Sequence, residues 1–157
     1  MTSDDLIKDT LQTSKIIAIV GASAPKENES VSKIRLKPSI IVMKYLLEFG
    51  YKVIPVNPFS VGKKVNGEKI VEKLEDISSQ IDIVNVFRPS NETPDIAKNA
   101  IKVGARTLWL QFGIQNNEAE EISKSAGLTC IMNKCIKQEY QRLFLKMKPV
   151  FPVLLND

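Results

Sequence analysis

Short apolar runs alternate with amphipathic segments along the chain, and Gly, Pro, Asn or Ser separates the members of each pair. The apolar runs are rich in Ile and Val and lack a clean apolar/polar alternation, which is typical of strands that helices cover on both faces. Five runs fit this description: Lys15–Val20, Lys52–Val56, Ile81–Phe87, Arg106–Leu110 and Leu128–Met132. The pattern therefore predicts a parallel sheet built from βαβ units.

Capping residues and glycines predict three well-bounded helices between these strands. The three segments are 39–50, 91–104 and 117–127, and each ends at or beside a glycine. Their predicted N-caps are Ser39, then Asn91 or Thr93, then Asn117. Weaker patterns predict an N-terminal helix over 3–13, a short helix within 70–78 and a final helix over 136–147.

Five parallel strands with right-handed crossovers predict one doubly wound α/β domain over residues 1–157. Helices are expected on both faces of the sheet, and the expected strand order is 3-2-1-4-5. The tail 149–157 carries Phe151, Val153, Leu154 and Leu155, so we expect it to dock on a surface of the domain.

Composition narrows the range of functions. The absence of histidine excludes histidine triads, histidine metal ligands, phosphohistidine and imidazole proton shuttles. The net charge of +4 is too small to indicate nucleic acid, although it suits a small polyanionic ligand where lysines cluster. No apolar run reaches the roughly 18 residues of a membrane span, and the first residues are polar and acidic. We therefore expect a cytoplasmic protein that binds neither a membrane nor nucleic acid.

The loop after the first strand is a candidate ligand site, because an open α/β sheet binds ligands beyond the carboxyl ends of its strands. Gly21 allows a tight turn that directs backbone N–H groups towards a phosphate, and Ser23 offers a hydroxyl. The dinucleotide motif G-x-G-x-x-G is absent, because no second or third glycine follows. A turn glycine without a ligand role is the alternative interpretation.

The residues after the second strand suit a phosphorylated ribose. A nicotinamide-dinucleotide domain normally has Asp or Glu here to hold ribose hydroxyls, whereas this chain has Asn57. A neutral residue followed by Lys63 and Lys64 favours a phosphate on the ribose, since lysine attracts it and a carboxylate would repel it. The alternative is that both lysines are solvated surface residues.

The third and fourth strands also end in groups that can bind a ligand. Arg88 can pair with phosphate, or it can cap the next helix or bridge a glutamate. Gln111 can exchange hydrogen bonds with amides, and Gly113 allows close approach of the backbone.

Together the motifs at the strand ends resemble those of the small stand-alone CoA-binding proteins, which are similar to the CoA-binding domain of the succinyl-CoA synthetase α subunit. The motifs are G-A-S, P-S, V-I-P-V-N-P, V-N-V-F-R, L-W-L-Q-F-G and I-M-N-K-C. The resemblance runs from about Lys15 to Leu143. It implies a Rossmann-like fold that binds coenzyme A or an acyl-CoA.

The resemblance also implies which residues form the CoA site. They are Gly21, Ala22, Ser23, Ser39, Asn57, Pro58, Lys63, Lys64, Arg88, Pro89, Gln111 and Gly113. The residues after the first strand, together with the first turn of the next helix, would hold the diphosphate. Those after the second strand would contact the adenosine, with one of the two lysines on the 3′-phosphate. Those after the third strand would line the path of the pantetheine arm, and those after the fourth would lie nearer its end.

Two segments depart from the family pattern. The loop 24–38 is longer than expected, and its basic residues either fold over the phosphates as a flap or form a solvated insertion. They are Lys26, Lys33, Arg35 and Lys37. The family often has an acidic residue where Asn133 stands. Cys135, at the start of the last helix, is either a buried structural thiol or one whose pKa the helix dipole lowers.

The synthetase α subunit works through a phosphohistidine, which a chain without histidine cannot form. We therefore expect a binding or regulatory module for CoA with no catalytic residues and no metal site. The alternative is an NAD(P)-binding oxidoreductase or a redox-sensing protein. The expected partners are a small nucleotide ligand and either a second copy of the chain or an acyl-CoA enzyme.

Overall fold

Strands and helices alternate along the chain as the hydrophobic pattern predicts. The computed structural model describes residues 2–26, 30 and 37–147. Its helices are α1 (Ser3–Thr13), α2 (Pro38–Glu48), α3 (Thr93–Lys102), α4 (Asn117–Ser125) and α5 (Ile136–Phe144). Its strands are β1 (Ile16–Val20), β2 (Lys52–Val56), β3 (Lys64–Val65), β4 (Glu68–Lys69), β5 (Ile83–Val86), β6 (Thr107–Leu110) and β7 (Thr129–Ile131). The tail 149–157 and most of the loop 24–38, including Lys33 and Arg35, lie outside the described residues.

Five parallel strands form the central sheet in the order β2-β1-β5-β6-β7, which confirms the predicted doubly wound α/β fold. The place beyond β2 is held by a single parallel bridge between Val56 and Val71. When this bridge is counted as the third position, the sheet reads 3-2-1-4-5-6, which contains the predicted order 3-2-1-4-5. The run 81–87, expected as that third strand, instead lies beside β1. Its four strand residues are all buried, which suits the centre of a sheet that is covered on both faces.

The sheet separates two hydrophobic clusters. Ile17 and Ile19 of β1 face α1, α2 and α5, whereas Ala18 faces α3 and α4. The chain passes from β1 to β2 over the first face and from β5 to β6 over the second. The crossover direction therefore reverses between the neighbouring strands β1 and β5, and this switch point is where open α/β sheets bind ligands. Among the described residues, no helix is both long and apolar enough to cross a bilayer.

The start of α2 differs from the prediction that Ser39 is its N-cap. Lys37 stands at the N-cap, and Pro38 takes the first helical position, where its missing N–H and fixed φ are compatible with a helix. Ser39 is buried, and its hydroxyl accepts a hydrogen bond from the backbone N–H of Ser23 at 2.8 Å. The side chain thus joins the loop after β1 to α2.

The starts of α3 and α4 also differ by one residue from the prediction. Glu92, rather than Asn91 or Thr93, stands at the N-cap of α3, because a short 3-10 turn leads into the helix. Asn116, rather than Asn117, caps α4 with its side-chain carbonyl. Within 70–78 the helical part is limited to a 3-10 turn over Leu74–Asp76.

A small antiparallel hairpin, β3–β4, follows β2 and was not predicted. Its turn is formed by Asn66 and Gly67, which have φ of 50° and 82°. Two consecutive residues with positive φ are the mark of a type I′ hairpin turn, for which Asn-Gly is the preferred sequence. The hairpin carries Lys64 on its first strand, and Lys63 directly precedes it.

A candidate ligand site at the carboxyl edge of the sheet

A cavity of about 280 Å³ lies at the switch point between β1 and β5. The wall is formed at the ends of β1, β2 and β5, by the segment that leads into the 3-10 turn at Leu74, and by Ile96 and Asn99 of α3. Its apolar wall consists of Val20, Val56, Leu74 and Ile96. The cavity also has charged groups in its wall, so it can accept a ligand that is partly flat and apolar and partly ionic.

Gly21 has a conformation and an environment that exclude a side chain. Its φ is +88°, and an ideal Cβ on it would lie 2.7 Å from Cδ of Arg88 and 3.1 Å from the carbonyl oxygen of Phe87. The alkyl part of the Arg88 side chain therefore packs directly on the glycine. This contact brings the guanidinium of Arg88, two residues beyond β5, next to the loop after β1.

The three backbone N–H groups of the loop after β1 are already hydrogen-bonded. Those of Gly21 and Ala22 both donate to the carbonyl of Val56, at 3.0 and 3.2 Å. That of Ser23 donates to the hydroxyl of Ser39. These bonds attach the loop to β2 and α2, and a phosphate could use the three donors only by breaking them.

Asn57 holds the loop after β2 in place with both ends of its side-chain amide. Its Nδ2 donates to the carbonyl of Ala22 at 2.8 Å, and its Oδ1 accepts from the backbone N–H of Phe59 at 2.9 Å. Such an Asx turn fixes the residue two positions further along. Phe59 is thereby held in the wall of the cavity with 87% of its surface exposed.

Arg88 forms a bidentate ion pair with Glu92, one of the alternatives that the sequence left open. Nε donates to Oε1 at 3.1 Å and Nη2 donates to Oε2 at 2.7 Å. This hydrogen bond from Arg88 lowers the pKa of the Glu92 carboxyl from its ordinary value. Both side chains line the cavity, as do Glu72 and Lys73.

The cavity contains four of the twelve predicted site residues: Gly21, Asn57, Pro58 and Arg88. Ala22, Ser23 and Ser39 lie next to it in the bonded loop described above. Lys63 and Lys64 are exposed on and beside the β3–β4 hairpin and are not part of the cavity wall. Pro89 directly precedes the 3-10 turn that leads into α3.

Gln111 and Gly113 lie further along the same edge, at the end of β6. Gln111 is buried, and its side-chain carbonyl accepts from Asn85 Nδ2 and from the backbone N–H of Ile136, each at 3.3 Å. The backbone N–H of Gly113 donates to Oδ1 of Asn133 at 2.7 Å. Asn133 thus joins the turn after β7 to the loop after β6.

Sequence reasoning missed nine residues of the cavity wall. They are Val20, Val56, Phe59, Glu72, Lys73, Leu74, Glu92, Ile96 and Asn99. Phe59 is the residue of this group that could most easily have been predicted. It directly follows Asn-Pro at a strand end, where an aromatic side chain is not expected to pack in the core. Glu72 and Lys73 lie in a segment predicted as helical, and residues in the middle of α3 carry no local sign that they face a ligand.

The two cysteines lie away from this cavity. Cys135 is only 4% exposed and packs in the cluster under α1, α2 and α5, which agrees with the buried structural thiol rather than the reactive one. Cys130 is half-buried, and desolvation raises the pKa of its thiol to about 11. The environment of Cys130 therefore does not resemble that of an activated thiolate.

Comparison with known proteins identifies the family. Residues 15–141 match the profile of the CoA binding domain. YneT of Bacillus subtilis (strain 168), described as an uncharacterized protein, is 40% identical over 131 residues, which cover 83% of this chain and 89% of YneT. The cell-free ID.343 structure from Thermus thermophilus has a TM-score of 0.80 and 33% identity, and the match covers 91% of this chain and 100% of that chain.

A larger CoA enzyme contains a similar domain. The match to the dinucleotide-forming acetyl-coenzyme A synthetase 1 of Ca. Korarchaeum cryptofilum, solved with phosphate and ADP, has a TM-score of 0.58 and 25% identity. It covers 76% of this chain and 26% of that chain. These findings confirm the resemblance of the strand-end motifs, and the chain belongs to the CoA-binding domain family.

Proposed function

We propose that the cavity at the switch point receives the adenosine end of coenzyme A or an acyl-CoA. The observation that carries this proposal is the position of the cavity beside Gly21 and Arg88, in a chain of the CoA-binding domain family. Pockets for whole drug-sized ligands usually measure about 300–1,000 Å³. A cavity of about 280 Å³ is therefore suited to one part of CoA, with the pantetheine arm outside it.

The wall of the cavity offers suitable contacts for each part of a phosphorylated adenosine. Apolar side chains form two sides on which a flat base can lie, and the exposed ring of Phe59 can cover the base from the solvent side. Arg88 and Lys73 supply positive charge for the phosphates. Lys63 and Lys64 on the adjacent hairpin are the alternative contacts for the 3′-phosphate.

The pantetheine arm would follow the carboxyl edge from Pro89 towards Gly113. The side-chain carbonyl of Gln111 is already shared between Asn85 and Ile136, so in this proposal the backbone around Gly113 contacts the arm. Neutral donors suit an arm that carries two amides and no charge.

The module is proposed to bind without carrying out a reaction of its own. The chain contains no histidine, and two of the charged groups in the cavity wall, Arg88 and Glu92, are paired with each other. A binding module of this kind acts through another protein, for which a second copy of the chain and an acyl-CoA enzyme are the candidates.

A nicotinamide dinucleotide is the second candidate ligand. Asn57 does not provide the acidic group that usually holds ribose hydroxyls, but Glu72 and Glu92 bring two carboxylates to the same cavity from other segments. An NAD(P)-binding oxidoreductase or redox-sensing protein could use either of them in that role.

Titration calorimetry with CoA, dephospho-CoA, NADH and NADPH distinguishes these functions. The proposal expects heat with CoA and weaker binding of dephospho-CoA. A thermal-shift series provides a second readout, since a ligand at 100 times its dissociation constant stabilises the fold by about 2.7 kcal/mol. Binding of NADH or NADPH without binding of CoA would reject the CoA function in favour of the dinucleotide.

A further inference from the structure

In the structure, the carboxylate of Glu92 binds the guanidinium of Arg88. In the proposed function this guanidinium is a cation that a ligand phosphate would bind. The carboxylate of Glu92 takes both Nε and Nη2 of the guanidinium, which is the same two-point contact that a phosphate makes with arginine. The pair lines the cavity, and the two side chains remain 41% and 43% exposed. A ligand can therefore reach the pair from the cavity.

The backbone donors of the loop after β1 cannot easily replace Arg88. The N–H groups of Gly21, Ala22 and Ser23 are hydrogen-bonded to Val56 and Ser39, so these donors are already used within the protein. The alkyl part of Arg88 packs on Gly21, which fixes the base of the side chain and leaves the guanidinium as the part that can exchange partners. An anion in this cavity therefore competes directly with Glu92.

We propose that Glu92 is an internal competitor for the ligand phosphate: on binding, Arg88 exchanges the carboxylate of Glu92 for phosphate oxygens, and Glu92 thereby sets the affinity for the ligand. The inference rests on the proposed CoA function and adds a specificity-determining residue to it. Exposed ion pairs contribute at most about 1 kcal/mol, so a phosphate group with a larger charge can displace the carboxylate. An uncharged ligand gains nothing from the exchange.

The test compares Glu92→Gln with Asp95→Asn by titration calorimetry against CoA and against adenosine. Asp95 lies one turn further along α3 in an exposed pair with Lys98 at 3.9 Å, so its variant removes the same charge without freeing a cation of the cavity. We expect Glu92→Gln to bind CoA about fivefold more tightly, which corresponds to ~1 kcal/mol. Adenosine affinity should stay unchanged in both variants, and Asp95→Asn should change CoA affinity less than twofold.

A double-mutant cycle with Arg88→Gln assigns the effect to the pair. In the Arg88→Gln background, Glu92→Gln should tighten CoA no more than Asp95→Asn does, because no guanidinium is released. Glu92 makes no side-chain capping bond to α3, so the variants with Glu92→Gln should keep the fold, and circular dichroism tests this.

The outcomes separate the two proposals. If the wild-type protein binds no CoA, the CoA function and the competitor role both fall. If it binds CoA but Glu92→Gln binds it equally or more weakly, the competitor role alone is overturned. Weaker binding of adenosine by Glu92→Gln would instead assign Glu92 to the ribose hydroxyls.

Discussion

The side chain of Arg88 fills the space that a side chain on Gly21 would need. An ideal Cβ on Gly21 lies 2.7 Å from Cδ of Arg88, a distance that real Cβ atoms do not show. The two residues follow neighbouring strands, β1 and β5, on which the crossover direction reverses. The absence of a side chain on one strand end thus determines where the guanidinium of the other can lie.

Gly21→Ala should lower both stability and ligand affinity. Alanine at a φ of +88° costs about 1–2 kcal/mol, and the added methyl group must displace Arg88 as well. Gly127→Ala is the matched control, because Gly127 has a φ of +84° and no atom within 4 Å of its ideal Cβ. Urea denaturation should show a larger loss for Gly21→Ala by about 1 kcal/mol, and only this variant should weaken CoA binding. Equal losses in the two variants would show that the contact with Arg88 has no energetic weight.

Asn57→Asp should separate the loops after β1 and β2. The amide donates to Ala22 and accepts from Phe59, and a carboxylate keeps the acceptor but places negative charge against the carbonyl of Ala22. A lost bond that leaves a partly buried group unpaired costs about 1–3 kcal/mol.

Thermal or urea unfolding measures this loss, and Asn57→Ser serves as the uncharged control. Asn57→Asp should be the less stable of the two at pH 7. The difference should shrink as the pH falls and the new carboxyl becomes protonated. A pH-independent difference would show that the repulsion of Ala22 is not the cause.

The alternation of apolar runs with amphipathic segments was sufficient to predict the sheet. A strand that is buried on both faces can be recognised from a few consecutive apolar residues. Ile83–Val86 illustrates this. The place of this strand between β1 and β6 depends on how separate strands and crossover helices assemble, and no single segment records that. Val71 takes the expected third place with one bridge only, so no run of apolar residues could reveal it.

The candidate site was predictable where it depends on strand ends and unpredictable where it depends on side-chain partners. Gly21, Asn57 and Arg88 do lie at the switch point. The bond of Asn57 to Ala22 arises only when separate loops meet in space. The pair of Arg88 with Glu92 is local, because the two residues are four apart in the chain, and it is one of the alternatives that the sequence left open. The Asn66-Gly67 turn is different, because its local signal was present in the sequence and was overlooked.

Lys73→Ala should reduce the preference for CoA over dephospho-CoA by about threefold, the effect of losing one exposed charge contact. Among the described residues, Lys73 is the one lysine in the cavity wall, whereas Lys63 and Lys64 lie on and beside the hairpin. Parallel titrations with the two ligands measure the ratio, and the double variant Lys63→Ala/Lys64→Ala should leave it nearly unchanged. The reverse result would assign the 3′-phosphate to the hairpin lysines.

Acid should loosen the contact between α1 and α5. Arg142 donates to both carboxylate oxygens of Asp4, at 3.0 and 2.8 Å, and this hydrogen bonding lowers the pKa of Asp4 from its ordinary value of 3.8. A carboxyl with a lowered pKa in the folded state contributes stability above pH 3.8, and the contribution is lost as the pH falls through the lowered value.

Stability curves between pH 6 and pH 2 test this for the wild-type protein and Asp4→Asn. The variant should be less stable at pH 6, and the two curves should converge in acid. Asp9→Asn, on the same helix, is the control for removing a charge. Parallel curves over the whole range would show that the pair with Arg142 does not contribute.

Cys130 should react slowly with iodoacetamide at pH 8. Desolvation raises the pKa of its thiol to about 11, so about one molecule in a thousand carries the thiolate at this pH, against about a tenth for a thiol with the ordinary value of 9.0. In a Cys135→Ser variant, which leaves Cys130 as the reporter, the alkylation rate of the folded protein should still rise between pH 9 and pH 10.5. The same variant in urea should react about a hundredfold faster at pH 8, and its rate should level off near pH 10. A folded-state rate that levels off at the same pH as the unfolded chain would show that burial does not suppress the thiolate.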